Sequence, residues 1–271
     1  MSLLVLSRSP LLLIARGMIT PDDCATLLEM AQARSFMGPG GGHAGILQDV
    51  DSTAGAAECA ALLELNARLS AVVPGAVLHA WQVHSTGPSE SSEQRQFPHG
   101  LHVDTVGSPR RFLTALLYLN TVQDGGETVF PLALPVMEDL AGATSSDELL
   151  ENALKLLASG RDHTRVGSGL DDLCTTFEAS AGACSLGVAA KPVAGDLLLF
   201  FTADDFDDSQ GCVKVDPRSW HGGAAVGRGL RKWTLQMFME VPVNMTTSEL
   251  SAYIPSVRSA VLATALDSCA V

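Results

Sequence analysis

The chain has 271 residues, of which 46% are hydrophobic and 17% charged, a composition that supports a large core and excludes an intrinsically disordered protein. Its formal net charge of −13 disfavours nucleic acids and anionic membranes as partners, because both carry charge of the same sign. The sequence contains no run of about 18 apolar residues, so no transmembrane helix is predicted.

The first predicted elements are one strand and two helices. The stretch SPLLLIARG, residues 9–17, predicts a β-strand rather than a secretion signal, because it lacks a charged start and a small-residue cleavage site. A helix is predicted from Pro21, since a proline followed by two aspartates suits a first turn. A second helix is predicted from about 54 to 70. Its apolar face would comprise Leu62, Leu65 and Leu69.

From residue 76 onward the sequence predicts β-strands joined by long loops. The strand candidates are AVLHAWQV (76–83), HGLHVD (99–104), RRFLTALLYLN (110–120), ETVFP (127–131), VAAKPVAGDLLLFF (188–201) and RKWTLQMFMEV (231–241). Polar composition predicts loops over 85–98 and 202–220. Residues 133–190 are interpreted as an insertion with one helix over 145–160.

Helices followed by many strands favour an α+β, mainly β fold. The specific prediction is a double-stranded β-helix, or jelly roll, with N-terminal helices packed on one side. We expect a single domain over 1–271. Its parts would be helical support over about 1–75, a jelly-roll core over about 76–242 with the insertion at about 133–190, and a C-terminal tail over 243–271.

The six cysteines form no CxxC pair, so a structural zinc site is not predicted. Cys174 and Cys184 are close enough in sequence to pair in an oxidising compartment, and the sequence leaves their state open. Because no clear secretion signal is present, the cytoplasm is the expected location. The endoplasmic reticulum is the alternative if a leader was removed.

The motif His102-x-Asp104 is the sharpest indication of chemistry. On a strand, residues i and i+2 project from the same face, so an imidazole and a carboxylate would lie together. His221, from a distant strand, would complete a set of two histidines and one carboxylate. Such a set leaves three coordination positions open and suits non-haem Fe(II) oxygenases, with 2-oxoglutarate taking two positions and O₂ the third.

Other interpretations of this motif remain open. His-x-Asp alone is common by chance, His99 and His102 suit a surface loop equally well, and Asp104 could cap a turn at Ser108.

Two residues after His221 support the metal interpretation. Lys232 and Thr234 would share one face of a strand and offer a cation and a hydroxyl to the distal carboxylate of 2-oxoglutarate. Arg231 points the other way in a regular strand, and a bulge would exchange the two cations.

Taken together, these segments resemble the prolyl 4-hydroxylase-like branch of the 2-oxoglutarate/iron oxygenases over about residues 10–242. The matching blocks, in order, are SPLLLIARGMITPDDCATLLEMA, HVD, RRFLTALLYLNTVQDGGETVFP, KPVAGDLLLFF, and DPRSWHGGAAV followed by KWTLQMF. Five blocks in the family's order are a specific signal.

The resemblance implies a role for several residues. The implied iron ligands are His102, Asp104 and His221. The implied 2-oxoglutarate-binding residues are Lys232, Thr234, Tyr118 and Thr128, with Arg231 as the alternative to Lys232. Arg111 matches an arginine that the family places near the substrate. From the residues alone, Tyr118 could instead be a core aromatic, Thr128 a strand former and Arg111 a solvated strand end.

The sequence also departs from the family's pattern. The family's cation lies ten positions after the last histidine, where this chain has Arg231, so Lys232 is displaced by one. A tyrosine typical of the strand before the first motif is absent, with His84 near its place. The usual Cys-Pro after the last histidine is replaced by Ala224-Ala225, and the insertion over 133–190 is longer than expected.

The implied activity is a hydroxylation that converts 2-oxoglutarate to succinate and CO₂. The expected cofactors are Fe(II), 2-oxoglutarate and O₂ as cosubstrates, and ascorbate as reductant. The expected substrate is a proline-containing peptide or protein, and the alternatives are a free amino acid or small metabolite, or a non-catalytic binding protein with the same fold. Residues 85–98 and part of the insertion are candidates for a lid over the substrate.

Overall fold

An antiparallel sheet of eight strands organises the molecule in the computed structural model, which describes residues 1–34, 45–47, 56–87, 101–136, 151 and 187–269. The strands are β1 Ser2–Ser9, β2 Leu11–Arg16, β3 Gly45–Leu47, β4 Trp81–Thr86, β5 Arg111–Tyr118, β6 Thr128–Phe130, β7 Leu134–Pro135, β8 Val188–Ala190, β9 Leu197–Phe201, β10 Ala203–Asp207, β11 Cys212–Val215, β12 Gly222–Gly223 and β13 Lys232–Glu240. The helices are α1 Pro21–Arg34, α2 Ala56–Val72 and α3 Thr247–Cys269, with short 3-10 helices at Asp104–Gly107 and Pro217–Ser219.

The strands form three sheets among the described residues. The large sheet has the order β3-β4-β13-β5-β9-β2-β1-β7, a small sheet has the order β12-β6-β8, and β10 pairs with β11 in a hairpin. Every pairing is antiparallel. The molecule is therefore a mixed α+β protein built on a large antiparallel sheet.

Helices α1, α2 and α3 of the described residues all pack on one face of the large sheet. Leu27 of α1, Leu65 of α2 and Val261 of α3 are fully buried in the same apolar cluster as Leu113, Ala115 and Leu117 of β5. Helix α1 begins where the sequence predicts it. Thr20 and Asp23 cap its start reciprocally, because each backbone N–H donates to the side chain of the other residue, at 3.3 and 3.1 Å.

The opposite face of the large sheet is directed toward the small sheet, and we call it the inner face. Leu116 and Tyr118 of β5 and Leu198 and Phe200 of β9 lie there in a second buried cluster, together with Phe130 of the small sheet. Strand β5 is buried from Phe112 to Tyr118 because both of its faces are covered. The inner face carries every polar residue of the candidate site that comes from the large sheet.

Several predicted elements are confirmed and others need correction. Helices α1 and α2 and strands β5, β6, β9 and β13 lie where expected. The N-terminus forms two strands rather than one, because β1 precedes the predicted strand. The predicted loop over 202–220 contains the β10–β11 hairpin. Its sequence is acidic, but Phe206 and Val213 bury one face, and Asp207 Oδ1 accepts hydrogen bonds from Ser209 and Gln210 at the turn.

Two further elements differ from the sequence prediction, and other predicted features lie outside the described residues. Strand β4 begins at Trp81 and runs through Thr86, so residues 85–86 belong to it rather than to the predicted loop. The C-terminal tail forms a helix of 23 residues, α3. The predicted helix over 145–160, apart from Glu151, lies outside the described residues, as do Cys174, Cys184 and residues 88–98. None of the described helices is both long and apolar enough to cross a membrane.

Leu235 provides a test of the helix–sheet core. It lies on β13 with 0% exposure and packs in the cluster shared with the helices. Leu235→Ala should lower the free energy of unfolding by about 2–5 kcal/mol, because it removes buried methyl groups and leaves a cavity. The measurement is urea denaturation. Leu63→Ala, at a side chain that is 59% exposed on α2, is the control and should change stability by no more than about 0.5 kcal/mol. Equal effects of the two substitutions would contradict this core.

Candidate active site

Two histidines 119 positions apart are joined by their backbones. The N–H of His102 donates to the carbonyl of His221 at 2.9 Å, and the N–H of His221 donates to the carbonyl of His102 at 2.9 Å. This reciprocal bridge brings the two imidazole rings to a centroid separation of 4.5 Å. A single antiparallel bridge therefore brings together two residues that are far apart in the sequence.

Asp104 completes a three-residue cluster with these histidines. Its Oδ1 lies 3.5 Å from Nε2 of His102 and 3.5 Å from Nε2 of His221. One ligand atom from each residue can be chosen so that all lie within 4.8 Å of one another. Asp104 and His221 are buried and His102 is partly exposed, so the cluster opens on the side of His102.

The position of Asp104 differs from the sequence prediction in one respect. The predicted strand over 99–104 is not formed in its described part, because His102 makes an isolated bridge to His221 and Asp104 is the first residue of a 3-10 helix. Its carboxylate is fixed by Thr114 of β5, whose hydroxyl donates to Oδ2 at 2.6 Å. Because Thr114 engages Oδ2, Oδ1 is left to face both imidazoles.

Asp104 is ionised despite its burial. Burial alone would raise the pKa of its carboxyl, but the neighbouring His221 and His102 outweigh that effect and hold the pKa well below its ordinary value. A buried carboxylate between two imidazoles is the charge state that a divalent cation requires.

His221 is oriented by its own local chain. Its Nδ1 lies 2.9 Å from the carbonyl of Ser219, which accepts the N–H of the tautomer that leaves Nε2 free for a metal. Ser219 ends the short 3-10 helix that Asp216 caps by accepting the N–H of Arg218 at 2.8 Å. The ring of His221 stacks on Phe130 at 5.1 Å, and Phe200 meets it edge-on at 4.6 Å.

A second polar group lies further along the inner face. Thr234 of β13 is in register with Tyr118 of β5 on one side and with His84 of β4 on the other. The hydroxyl of Tyr118 donates to Oγ1 of Thr128 in the small sheet at 2.8 Å. Burial raises the pKa of Tyr118, so its hydroxyl remains a neutral donor at physiological pH. Four residues of β5, roughly 13 Å of strand, separate Tyr118 from Thr114 at the metal cluster.

Lys232 extends from the large sheet to the small one at this end of the inner face. Its side chain is buried, and its Nζ donates to the carbonyl of Gly126 at 2.8 Å. A Cβ built at Gly223 would lie 3.4 Å from Nζ, so this glycine leaves room for the ammonium. Burial lowers the pKa of Lys232 to about 8, and the coulombic effect of Glu127 opposes that shift.

The charge of Lys232 has no close counterion within the described part of the chain. An ammonium has three donors, and the hydrogen bond to Gly126 uses one of them. Arg231, its neighbour, turns away from the inner face and donates from NH1 to Oγ of Ser85 at 3.2 Å. Of the two cations that the sequence offers, the structure places Lys232 on the inner face.

Arg111 lies at the metal end of the site. Its NH1 donates to the backbone carbonyl of Asp104 at 3.3 Å, and its guanidinium sits 4.3 Å from the ring centre of Phe238. Its Nε is 3.6 Å from a carboxylate oxygen of Glu240, and its side chain is 21% exposed. Arg111 therefore borders the cluster from the side that solvent reaches.

The structure brings together the predicted residues in two groups. The first group contains His102, Asp104, His221 and Arg111, and the second contains Lys232, Thr234, Tyr118 and Thr128. The sequence reasoning missed Thr114, Ser219 and Glu240. Thr114 could have been predicted from the sequence, because it precedes Tyr118 by four residues on a predicted strand and so shares its face. The carbonyl of Ser219 carries no sequence signal, since every residue has one.

Both groups fit the cofactors that the sequence implies. Two imidazole nitrogens that each lie 3.5 Å from the same carboxylate oxygen fit a divalent metal held on one face, with the remaining positions open. The buried ammonium of Lys232, flanked by the hydroxyl-bearing Thr234, fits the distal carboxylate of a 2-oxo dicarboxylic acid.

Comparison with known proteins gives distant relatives. The chain is 29% identical over 138 residues to probable prolyl 4-hydroxylase 3 of Arabidopsis thaliana, covering 51% of this chain and 34% of that protein. It is 26% identical over 252 residues to prolyl 4-hydroxylase 1 of the same plant, covering 87% of this chain and 70% of that protein. The chain is thus distantly homologous to plant prolyl 4-hydroxylases and spans about a third of the length of the first. No family model matches the chain.

The fold is shared with a solved hydroxylase. The crystal structure of the viral collagen prolyl hydroxylase from Paramecium Bursaria Chlorella virus-1, in complex with 2-oxoglutarate, matches with a TM-score of 0.50 and 14% identity, covering 85% of this chain and 96% of that one. The chain therefore combines the fold of that enzyme with a candidate iron-binding cluster of two histidines and an aspartate.

Metal binding tests the cluster directly. The purified protein should bind Mn(II), as a redox-stable substitute for Fe(II), with one ion per chain in calorimetry. His221→Ala should weaken this binding at least about 100-fold, because loss of a ligand costs more than the 10–100-fold typical of its outer partners. His79→Ala, at an exposed histidine outside the cluster, is the matched control and should bind as the unaltered protein does. Equal affinity in the two variants would contradict the assignment.

Proposed function

We propose that the chain is a 2-oxoglutarate- and Fe(II)-dependent hydroxylase that acts on prolyl residues of a peptide or protein. One observation carries the proposal: the inner face presents a His–Asp–His cluster at one end and a buried lysine without a close counterion, among the described residues, at the other. Iron and a 2-oxo dicarboxylic acid together satisfy both ends. In this proposal the two facing sheets form a double-stranded β-helix.

The overall reaction sets what the residues must do. When bound, iron and 2-oxoglutarate would supply the oxidation of a C–H bond by O₂, giving the alcohol, succinate and CO₂. His102, Asp104 and His221 would hold the metal. Thr114 keeps Oδ2 of Asp104 engaged, which favours attachment through one oxygen and leaves the other positions for substrates.

The second group would bind and orient 2-oxoglutarate. Lys232 would pair with its distal carboxylate, with the hydroxyl of Thr234 beside it. Tyr118 and Thr128, which are hydrogen-bonded to each other, line the same end. Phe130 and Phe200 pack against His221 and exclude water from the buried side of the metal. Arg231, directed to Ser85, would act only as a distant charge.

The substrate would approach from the open side of the cluster. There the partly exposed His102 and Arg111 lie, and Arg111 has free capacity for a carbonyl of a peptide. The distant homology to plant prolyl 4-hydroxylases supports prolyl residues as the target. The alternative is hydroxylation of a free amino acid or small metabolite, and the activity assay distinguishes it from hydroxylation of prolyl residues.

Turnover is the first test of this proposal. With Fe(II), ascorbate and 2-oxoglutarate, the protein should form succinate, and a proline-rich peptide should raise the rate because it supplies the C–H bond. The measurement is succinate by mass spectrometry together with the mass gain of about 16 Da expected for one added oxygen. His102→Ala should lose both signals, whereas His79→Ala should retain them.

The possible results of the turnover assay separate the hypotheses. If the peptide does not change succinate formation, a small molecule becomes the proposed substrate. The proposed hydroxylase chemistry would still hold. Absence of succinate formation, together with absence of metal-dependent 2-oxoglutarate binding, would contradict the proposal.

The pH dependence of 2-oxoglutarate binding tests the role of Lys232. Its pKa is lowered to about 8, so the charged form that a carboxylate needs predominates below pH 8 and is lost as the pH rises through that value. The Kd for 2-oxoglutarate on the Mn(II)-loaded protein should therefore be constant at pH 6.5–7.5 and rise by about tenfold per unit above pH 8.

Lys232→Arg is the matched control for this titration, because a guanidinium stays protonated throughout the range. Its Kd should be weaker but independent of pH between 7 and 9. A Kd for the unaltered protein that does not change up to pH 9.5 would show that Lys232 is not the carboxylate partner.

A further inference from the structure

The side chain of Asn120 replaces a missing pair of backbone groups at the start of β13. The β5–β13 ladder ends with Tyr118 opposite Thr234, and the N–H of Leu119 then donates to the carbonyl of Trp233 at 2.9 Å. Beyond this point Asn120 Nδ2 donates to the carbonyl of Arg231 at 2.8 Å, and Oδ1 accepts the N–H of Trp233 at 2.8 Å. The carboxamide therefore holds the residues on both sides of Lys232.

This contact lies where two cations are adjacent in sequence. Successive residues of a strand point to opposite faces, so a slip of one residue would exchange Arg231 and Lys232. In the structure Lys232 is buried on the inner face, and Arg231 is turned to Ser85. On the side of β4, Lys232 is in register with Thr86. On the side of β5 the backbone ladder has already ended, and the side chain of Asn120 makes the hydrogen bonds.

The carboxamide of Asn120 is suited to hydrogen-bonding two backbone groups of β13 and its start. A carboxamide presents one acceptor and one donor side by side, as a peptide group does, so it can bind a carbonyl and an N–H of the same strand. A carboxylate would keep the bond to the N–H of Trp233 but would place a negative oxygen against the carbonyl of Arg231. An alanine would leave both backbone groups without this partner.

We propose that Asn120 is a positioning residue that fixes the start of β13 so that Lys232, and not Arg231, faces the 2-oxoglutarate site. This inference rests on the proposed function, in which Lys232 pairs with the distal carboxylate. Asn120 does not touch the cosubstrate and acts only through the register and rigidity of the strand that carries the lysine. Its effect is therefore confined to ligands that have a distal carboxylate.

The experiment compares two 2-oxo acids on the Mn(II)-loaded protein by calorimetry. 2-Oxoglutarate carries the distal carboxylate, and 2-oxobutyrate has the same metal-binding end without it. In the unaltered protein 2-oxoglutarate should bind at least tenfold more tightly than 2-oxobutyrate. Asn120→Asp and Asn120→Ala should reduce this ratio of Kd values at least fivefold, with the Kd for 2-oxobutyrate and for Mn(II) changed less than twofold.

Asn244→Asp is the matched control, since it makes the same change at an exposed asparagine and should leave the ratio unaltered. A ratio preserved in both Asn120 variants, with the two acids weakened equally or not at all, would overturn the role of Asn120. An unaltered protein that binds the two acids equally would instead contradict the cosubstrate site of the proposed function. The two failures are therefore distinguishable in one set of titrations.

Discussion

The register of β13 between β4 and β5 is the constraint on which the candidate site depends. Thr234 lies opposite both His84 and Tyr118, and this alignment sends Lys232 and Thr234 to the inner face while Trp233 and Leu235 enter the helix-side core. A slip of one residue would reverse all of these side chains. The apolar half of the strand thus enforces the placement of its polar half, because the reversed register would turn the ammonium of Lys232 and the hydroxyl of Thr234 toward the helix-side core.

The two ends of the inner face carry opposite buried charges, and this makes the site electrostatically incomplete by itself. Asp104 is ionised between two imidazoles, whereas Lys232 lies near the small sheet and, among the described residues, has one backbone carbonyl as its hydrogen-bond partner. Each buried charge is costly without a partner. A divalent cation at one end and a dicarboxylic acid reaching to the other would relieve both costs, so the same arrangement that binds the ligands is stabilised by them.

The features that could be predicted from the sequence are those determined by local patterns of residues. The ligand residues, both early helices and the apolar strands follow from periodicity and from motifs of a few residues, and the structure brings His102, Asp104 and His221 together as expected. The choice between Lys232 and Arg231 was not decidable from sequence, because it depends on the register of β13 with β4 and β5, which are distant in the sequence. The β10–β11 hairpin was missed for a related reason: its acidic residues are exposed, and only pairing reveals the buried alternate positions.

The order of Arg231 and Lys232 at the start of β13 determines which kind of cation is buried. Burial lowers the pKa of Lys232 to about 8, so this lysine can release its proton closer to neutral pH than an exposed one. An arginine at that position would stay charged whether or not a carboxylate were bound. Placing Lys232 inward and Arg231 toward the polar Ser85 therefore puts in the buried position the cation that can lose its charge as the pH rises through about 8. In the proposed function a bound carboxylate would stabilise the charged form of Lys232, so above pH 8 binding would be coupled to the uptake of a proton.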